Sequence, residues 1–265
     1  MKQPCARTHY RSLFKQLIII PIMIISLVPF CLTEHTNALD GIPFHQGEKL
    51  KFRAQWGFLP AGEVILEVLP TDIINGVPSY HFAMITKTNK YIDLFYKIRE
   101  RQDSYIDKGL THSILYKKRS EGKHPRDVVV NFDWEKKEAA YSSFGEKMRP
   151  VSILPSSFDP LSLLYVIRLH QLAEGKVIEI PVTDGKRCID VKVKVSKKEI
   201  IILAGKEYET YLVESDLETI GDIGKEADGD NLKIWFTANE RKIPVRIKNK
   251  AGIGSFIFEL IALEN

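Results

Sequence analysis

Cys188 stands directly after Lys186 and Arg187. Adjacent cations favour the thiolate, the nucleophilic and metal-binding form of cysteine. Cys188 shares its parity with Asp190, Lys192 and Lys194, so a solvated or half-buried thiol is expected. A second candidate is Asp228-Gly229-Asp230-Asn231, with Asp222 and Glu226 ahead of it. Closely spaced acids suit calcium, but the full ligand spacing and the closing glutamate are missing. That stretch reads as a solvated turn. Beyond residue 38 the histidines are His45, His81, His112, His124 and His170, and no two stand at an i, i+2 or i, i+4 spacing. A metal pair on one strand or helix face needs such spacing, so these read as structural histidines and no metal is implied. No G-x-S-x-G elbow, P-loop or dinucleotide glycine motif occurs. Glu63 has no partner acid or nucleophile near it in sequence. No cofactor is implied, and a hydrolase ranks behind two non-enzymatic readings.

Two stretches are better suited to contact than to catalysis. "WGFLPAGEV", residues 56–64, holds Gly57, Pro60 and Gly62 between two apolar runs. It reads as a β-hairpin loop in which Trp56 closes the core and Glu63 faces solvent or a cross-strand base. The same residues offer an apolar tip, Phe58, Leu59 and Pro60, to a ligand, membrane or partner. "YKKRSEGKHPR" carries Lys117, Lys118, Arg119, Lys123 and Arg126 with one interrupting acid. It reads as a long hairpin tip, either simply solvated or touching anionic headgroups, where each cation is worth up to about 1 kcal/mol.

The elements that must carry these residues are strands. In "LKFRAQW" Leu50, Phe52, Ala54 and Trp56 share one parity, while Lys51, Arg53 and Gln55 take the other. A period of two marks a strand with one buried face. About a dozen such runs follow without a βαβ rhythm, so an antiparallel sheet is expected. Several strands, including the one bearing Trp235, are apolar on both parities. Either both sheet faces are covered, or one lines a greasy cavity. "KIRERQDSYID" is polar on both, which suits an edge strand or a wet interior. "SFDPLSLLYVIRLHQL" breaks the pattern: Asp159 is a plausible N-cap, Pro160 fits the first helical position, and the rest is apolar nearly all round. Such a helix is normally buried. Residues 88–98 hold a second, shorter helical turn.

The first 38 residues read as a secretory signal: Lys2, Arg7, Arg11 and Lys15, an uncharged run from Leu17 to Leu32, and Thr36 and Ala38 at a small-x-small exit. Four of the 38 basic residues and one of the 34 acidic ones lie there, leaving 34 against 33 in residues 39–265. That near-neutral balance does not call for nucleic acid. Cys188 is the only cysteine beyond the leader, so no internal disulfide is expected in the mature chain. Cleavage after Ala38 is expected, and N-terminal sequencing of the exported protein should read Leu39 first; retention of Met1 would indicate an anchor instead.

"GEKLKFRAQWGFLPAGEVILEV", "FDPLSLLYVIR", "IPVTDGKR" and "LKIWFTANERKIPVRI" occur in this order. Together they resemble a family of exported bacterial proteins known as domain of unknown function 3108, over roughly residues 47–263. The resemblance implies export and a β-rich fold but no activity. Trp235, with Pro244 and the apolar strand after it, is also similar to the late strands of the periplasmic lipoprotein-carrier fold. That fold is a half-open barrel with a hydrophobic interior.

The expectation is one all-β domain over residues 39–265, a large curved antiparallel sheet or half-open barrel folded over one buried helix. It is expected in the periplasm or outer envelope of a Gram-negative bacterium. The function expected is non-enzymatic binding of a lipid or other hydrophobic envelope component, with Trp56, Phe58, Leu59 and Trp235 as ligand contacts. An anionic membrane surface is the other partner the sequence suggests. The rival reading is an envelope scaffold acting through surface contacts. A carrier needs an enclosed apolar cavity of a few hundred cubic ångströms, whereas a scaffold has a filled core and an exposed apolar patch.

Overall fold

The computed structural model describes residues 41–122, 125–215, 232–251 and 254–264. The expected leader, Lys123, His124 and the acidic stretch 228–231 lie outside the described residues. The first half of the chain is a meander: β1 (Lys49–Trp56), β2 (Leu59–Ile74), β3 (Val77–Thr88), the one-turn helix α1 (Lys90–Asp93), β4 (Ile98–Asp107), β5 (Ser113–Gly122), β6 (Arg126–Asp133) and β7 (Glu138–Ser143), with the two-residue strands β8 (Glu146–Lys147) and β9 (Val151–Ser152). Helix α2 (Ser162–Leu169) follows. A second meander returns through β10 (Val177–Thr183), β11 (Cys188–Leu203), β12 (Lys206–Ser215), β13 (Leu232–Thr237), β14 (Pro244–Ala251) and β15 (Gly254–Glu264). Antiparallel pairing of β15 with β1 joins the two meanders into one 15-stranded sheet that runs from β10 to β8 without closing. This is the open, curved antiparallel sheet that the alternation predicts.

The alternating side chains fix the two faces. Phe52, Leu66, Phe82, Val130, Val193 and Phe236 are fully or almost fully buried on the concave face. Helix α2 fills that concavity. The helix begins at Ser162 with Leu161 as its N-cap, two residues later than Asp159 suggests. Asp159 holds the turn that leads into it: its Oδ1 accepts from the backbone N–H groups of Leu161 and Ser162, both at 3.0 Å, and its carbonyl accepts from Leu163 N–H at 3.3 Å. Those donors would otherwise lack partners at the start of a helix. Leu163, Tyr165, Val166 and Ile167 are buried, while Leu164 is only half-buried. Tyr165 stacks on Phe82 at 3.9 Å between ring centres, and Phe44 packs edge-on against both at 5.5 and 5.3 Å. Among the described residues the core runs from Ile42 to Leu260.

β4 corrects an expectation. Its polar faces suggest an edge, yet it lies between β3 and β5. The polar groups are satisfied inside. Ser104 and Ser113 each donate to Asp159 Oδ2 at 2.6 Å, and Tyr116 donates to Gln102 Oε1 at 2.8 Å. A buried hydroxyl is tolerated where it finds a partner. Burial pushes the Asp159 carboxyl above its ordinary range, against the pull of those donors.

The helix carries one further surprise. Arg168 is fully buried among the apolar residues of α2. It donates from Nη1 and Nη2 to the two carboxylate oxygens of Glu48, at 2.7 and 3.1 Å, and also to the carbonyls of Pro43 and Arg241. Arg241 reaches Glu48 Oε2 from the other side at 2.9 Å. The guanidinium of Arg168 lies 5.4 Å from the ring of Phe44. One side chain thus ties α2 to the segment before β1 and to the β13–β14 turn. Glu48→Ala removes the only carboxylate that the wholly buried Arg168 is seen to meet among the described residues and should cost about 3–5 kcal/mol in urea unfolding, as broken buried pairs do. A loss below about 1 kcal/mol would show that the arginine finds other partners.

Candidate functional site

The titratable side chains that could do chemistry lie apart from one another. His81 sits on the convex face, 2.8 Å from Asp103 and stacked on Tyr105 at 4.2 Å. His170 ends α2, and burial lowers its pKa. Cys188 is half-buried, with its Sγ 3.4 Å from Ser157 Oγ. Burial pushes the Tyr165 phenol far up. His81, Cys188 and Tyr165 are dispersed, and each meets a structural partner. Among the described residues, no group of three or more His, Cys, Asp or Glu could hold a metal.

The strongest feature is one end of the sheet. β1 turns into β2 through two residues, Gly57 and Phe58, with Trp56 paired to Leu59. Gly57 has φ 60°, the value glycine supplies to such a tight hairpin. The "WGFLPAGEV" stretch is therefore a hairpin corner, and Glu63 faces solvent between Arg53 and Lys87 in the sheet register. Its tip is not packed: Phe58 is 90% exposed. The α1 segment stands beside it. Asn89 caps α1, accepting from the N–H groups of Tyr91 and Ile92 at 3.0 Å each. The same Asn89 donates from its side chain to Pro60 O at 2.6 Å and from its backbone to Ala61 O at 2.9 Å. One residue thus bolts α1 to the hairpin.

Past α1 the chain exposes more apolar surface. Leu94 and Phe95 are 79% and 80% exposed, Tyr91 is 67% exposed, and Tyr96 is also outward. Lys90 and Lys97 bracket this run and are exposed, with Lys90 Nζ 5.1 Å over the Tyr91 ring. Behind it Arg99 donates to both oxygens of Asp93, at 3.1 and 2.5 Å, and Thr88 Oγ1 donates to Asp93 at 2.5 Å. The β5–β6 hairpin reaches the same end: a Cβ on Gly122 would collide with the carbonyl of Lys97.

The sequence-predicted contact residues separate under this geometry. Phe58 and Leu59 sit at the apolar end. Trp56 lies just inside it, half-buried and stacked on Phe256 at 6.4 Å. Trp235 is elsewhere. It shares the convex face with its neighbours in register, Arg246 and Glu259, and donates from Nε1 to Glu199 at 2.8 Å. Trp56 is on the concave parity, so the two tryptophans cannot line one pocket. The basic run divides as well. Lys117 and Arg119 are exposed on one parity, with Lys117 near the Tyr105 ring. Lys118 and Arg126 take the other parity, and Lys118 pairs with Glu100 at 3.3 Å. Lys123 lies outside the described residues. The residues 90–97, read in the sequence only as a helical turn, add Tyr91, Leu94, Phe95 and Tyr96 to the exposed apolar surface at this end.

The concave interior near α2 is occupied by protein side chains. Two depressions, of about 230 and about 400 Å3, open to solvent: one along Gln46–Lys49 and Glu67–Pro70, the other at the C-terminal end of α2 beside Leu169, Tyr211 and Asn239. Neither is lined by Phe52, Phe82 or Tyr165. No helix among the described residues is long and apolar enough to cross a membrane.

Residues 51–261 match the pattern of a family described as protein of unknown function, DUF3108. The chain belongs to the DUF3108 family. No curated protein matches it. Among solved structures it is similar to a β-barrel-like protein of the domain of unknown function DUF1849 from Brucella abortus, at 11% identity and a TM-score of 0.53, covering 82% of this chain and 96% of that one. At that identity the likeness carries the fold alone. The DUF3108 fold is therefore an open, β-barrel-like sheet, and the family name assigns no activity.

Asp93 gives the site a pH test. Its hydrogen bonds to Arg99 and Thr88 hold its carboxyl below the ordinary value of 3.8. A depressed pKa means that this contribution to order is present at neutral pH and lost as pH falls through the folded-state value. Carboxyl NMR titration should find Asp93 below 3.8 and, in Arg99→Gln, moved upward. An Asp93 midpoint unchanged by Arg99→Gln would remove the clamp from the account.

Proposed function

We propose that this DUF3108 protein is a non-enzymatic binding protein of the cell envelope that engages a lipid or other hydrophobic component through its exterior. The observation that carries the reading is the cluster of Phe58, Leu94 and Phe95, each more than three-quarters exposed on neighbouring loops. Scattered exposed apolar residues need no explanation, but a contiguous patch marks an interaction surface. The patch is also built rather than incidental: Asn89 and the Arg99–Asp93 pair hold the loops that present it. The filled concavity supports an exterior contact over an enclosed carrier pocket, because Phe44, Phe82 and Tyr165 take the space a ligand would need. Structural partners around Asp159 and His81 support the non-enzymatic part of the reading.

A neutral apolar dye tests where the binding surface lies. Nile red should brighten with the wild-type protein, and Phe58→Ser with Phe95→Ser should remove most of that signal while leaving the unfolding midpoint unchanged. Both side chains are exposed, so their truncation removes little core packing. Enhancement that survives in the double variant but disappears in Phe82→Ala would place the apolar site inside the sheet and contradict the proposal.

A further inference from the structure

We infer that the partner of the apolar end is the surface of an anionic phospholipid bilayer, with Phe58, Leu94 and Phe95 entering the interfacial layer and Lys90 and Lys97 facing the headgroup phosphates. This rests on the exterior-contact reading above and names its partner. The first argument is composition by depth. The most exposed side chains of the patch are purely apolar, and Tyr91 and Tyr96 flank them. Aromatic residues with one polar end belong at the level where hydrocarbon meets water. Lysine heads then lie at the phosphates, with their methylene stems along apolar surface. Lys90 shows that arrangement already, with its ammonium over the Tyr91 ring.

The second argument is charge. Residues 39–265 carry 34 basic and 33 acidic side chains, so the body as a whole offers an anionic surface almost no net attraction. The apolar end differs locally. Lys90 and Lys97 are exposed there and Asp93 is already engaged by Arg99 and Thr88, whereas Lys87 stands opposite Glu63 in the sheet register. A few cations close to an anionic membrane act within one Debye length, so a local cluster decides the attraction and net charge does not. A single one-turn segment could not anchor a protein by itself. Apolar insertion and headgroup attraction together supply the two weak signals that reversible membrane binding uses.

The test is co-sedimentation of the chain from Leu39 onward, which retains the whole described core, with vesicles of phosphatidylglycerol and phosphatidylcholine or of phosphatidylcholine alone. Binding to the anionic vesicles, little to the neutral ones, and release in 1 M salt are expected. Lys90→Glu with Lys97→Glu should lower the partition by about tenfold or more, from the worth of two cations near a charged surface. Phe58→Ser with Phe95→Ser should do the same at low salt. Lys194→Glu with Lys206→Glu makes the same change in net charge away from the patch and should leave binding nearly intact. Equal binding to neutral vesicles, or equal loss in the Lys194 and Lys206 variant, overturns the inference. Absence of vesicle binding while the wild type still captures Nile red overturns the bilayer alone and leaves the exterior-contact reading standing. Absence of both overturns the two together.

Discussion

The ion pair of Arg168 with Glu48 is the contact on which the arrangement turns. An arginine in the middle of an apolar helix cannot be left without partners, because stripping its charge of water is costly. Here its donors meet the Glu48 carboxylate and the carbonyls of Pro43 and Arg241. Those three groups come from the segment before β1 and from the β13–β14 turn. Helix α2 is thereby registered against both meanders at once. Leucine or isoleucine alone would allow the helix to slide within the concavity. Directional hydrogen bonds specify one depth and one rotation.

That placement has a consequence for function. With α2 seated, Tyr165 and Phe82 stack face to face and Phe44 closes over them, so this part of the concavity is core. The sheet resembles a half-open barrel in outline, but its interior near the helix is packed like any protein interior. The most exposed of the large apolar side chains, Phe58, Leu94 and Phe95, instead lie at one end of the strands, on the β1–β2 corner and just past α1. Rigid strands carry both loops, and Asn89 joins them by three hydrogen bonds on α1 and two on the hairpin backbone in all. Its side chain and backbone make each of those contacts. A patch held in this way is preorganised for contact, which lowers the ordering cost of binding.

Much of the fold was legible in the sequence because parity is a local signal. "LKFRAQW" and its counterparts give strands, and the absence of a βαβ rhythm gives antiparallel pairing. Asp159-Pro160 announces the helix, which starts two residues later, with Leu161 as its N-cap. What stayed hidden depends on residues far apart in the chain. β4 looks like an edge because Gln102 and Ser104 are polar, and only Tyr116 and Asp159, from other elements, explain their burial. Arg168 looks like a surface residue of a helix until Glu48, 120 positions away, is placed beside it. Trp56 and Trp235 look equivalent, yet the register puts them on opposite faces of the sheet. The apolar tip at Phe58 was visible, whereas Leu94 and Phe95 passed as an ordinary helical turn. The bracket of Lys90 and Lys97 around aromatic residues was the signal that could have drawn attention to them.

The central claim is that this molecule meets its partner with the outside of one end and not with the inside of the sheet. Chemical-shift mapping during addition of anionic lipid bicelles tests it most directly. The account predicts perturbations confined to residues 57–60 and 87–97, with Phe82, Tyr165 and Val193 unmoved. Shifts centred on those three concave-face residues, with the end loops silent, would contradict it.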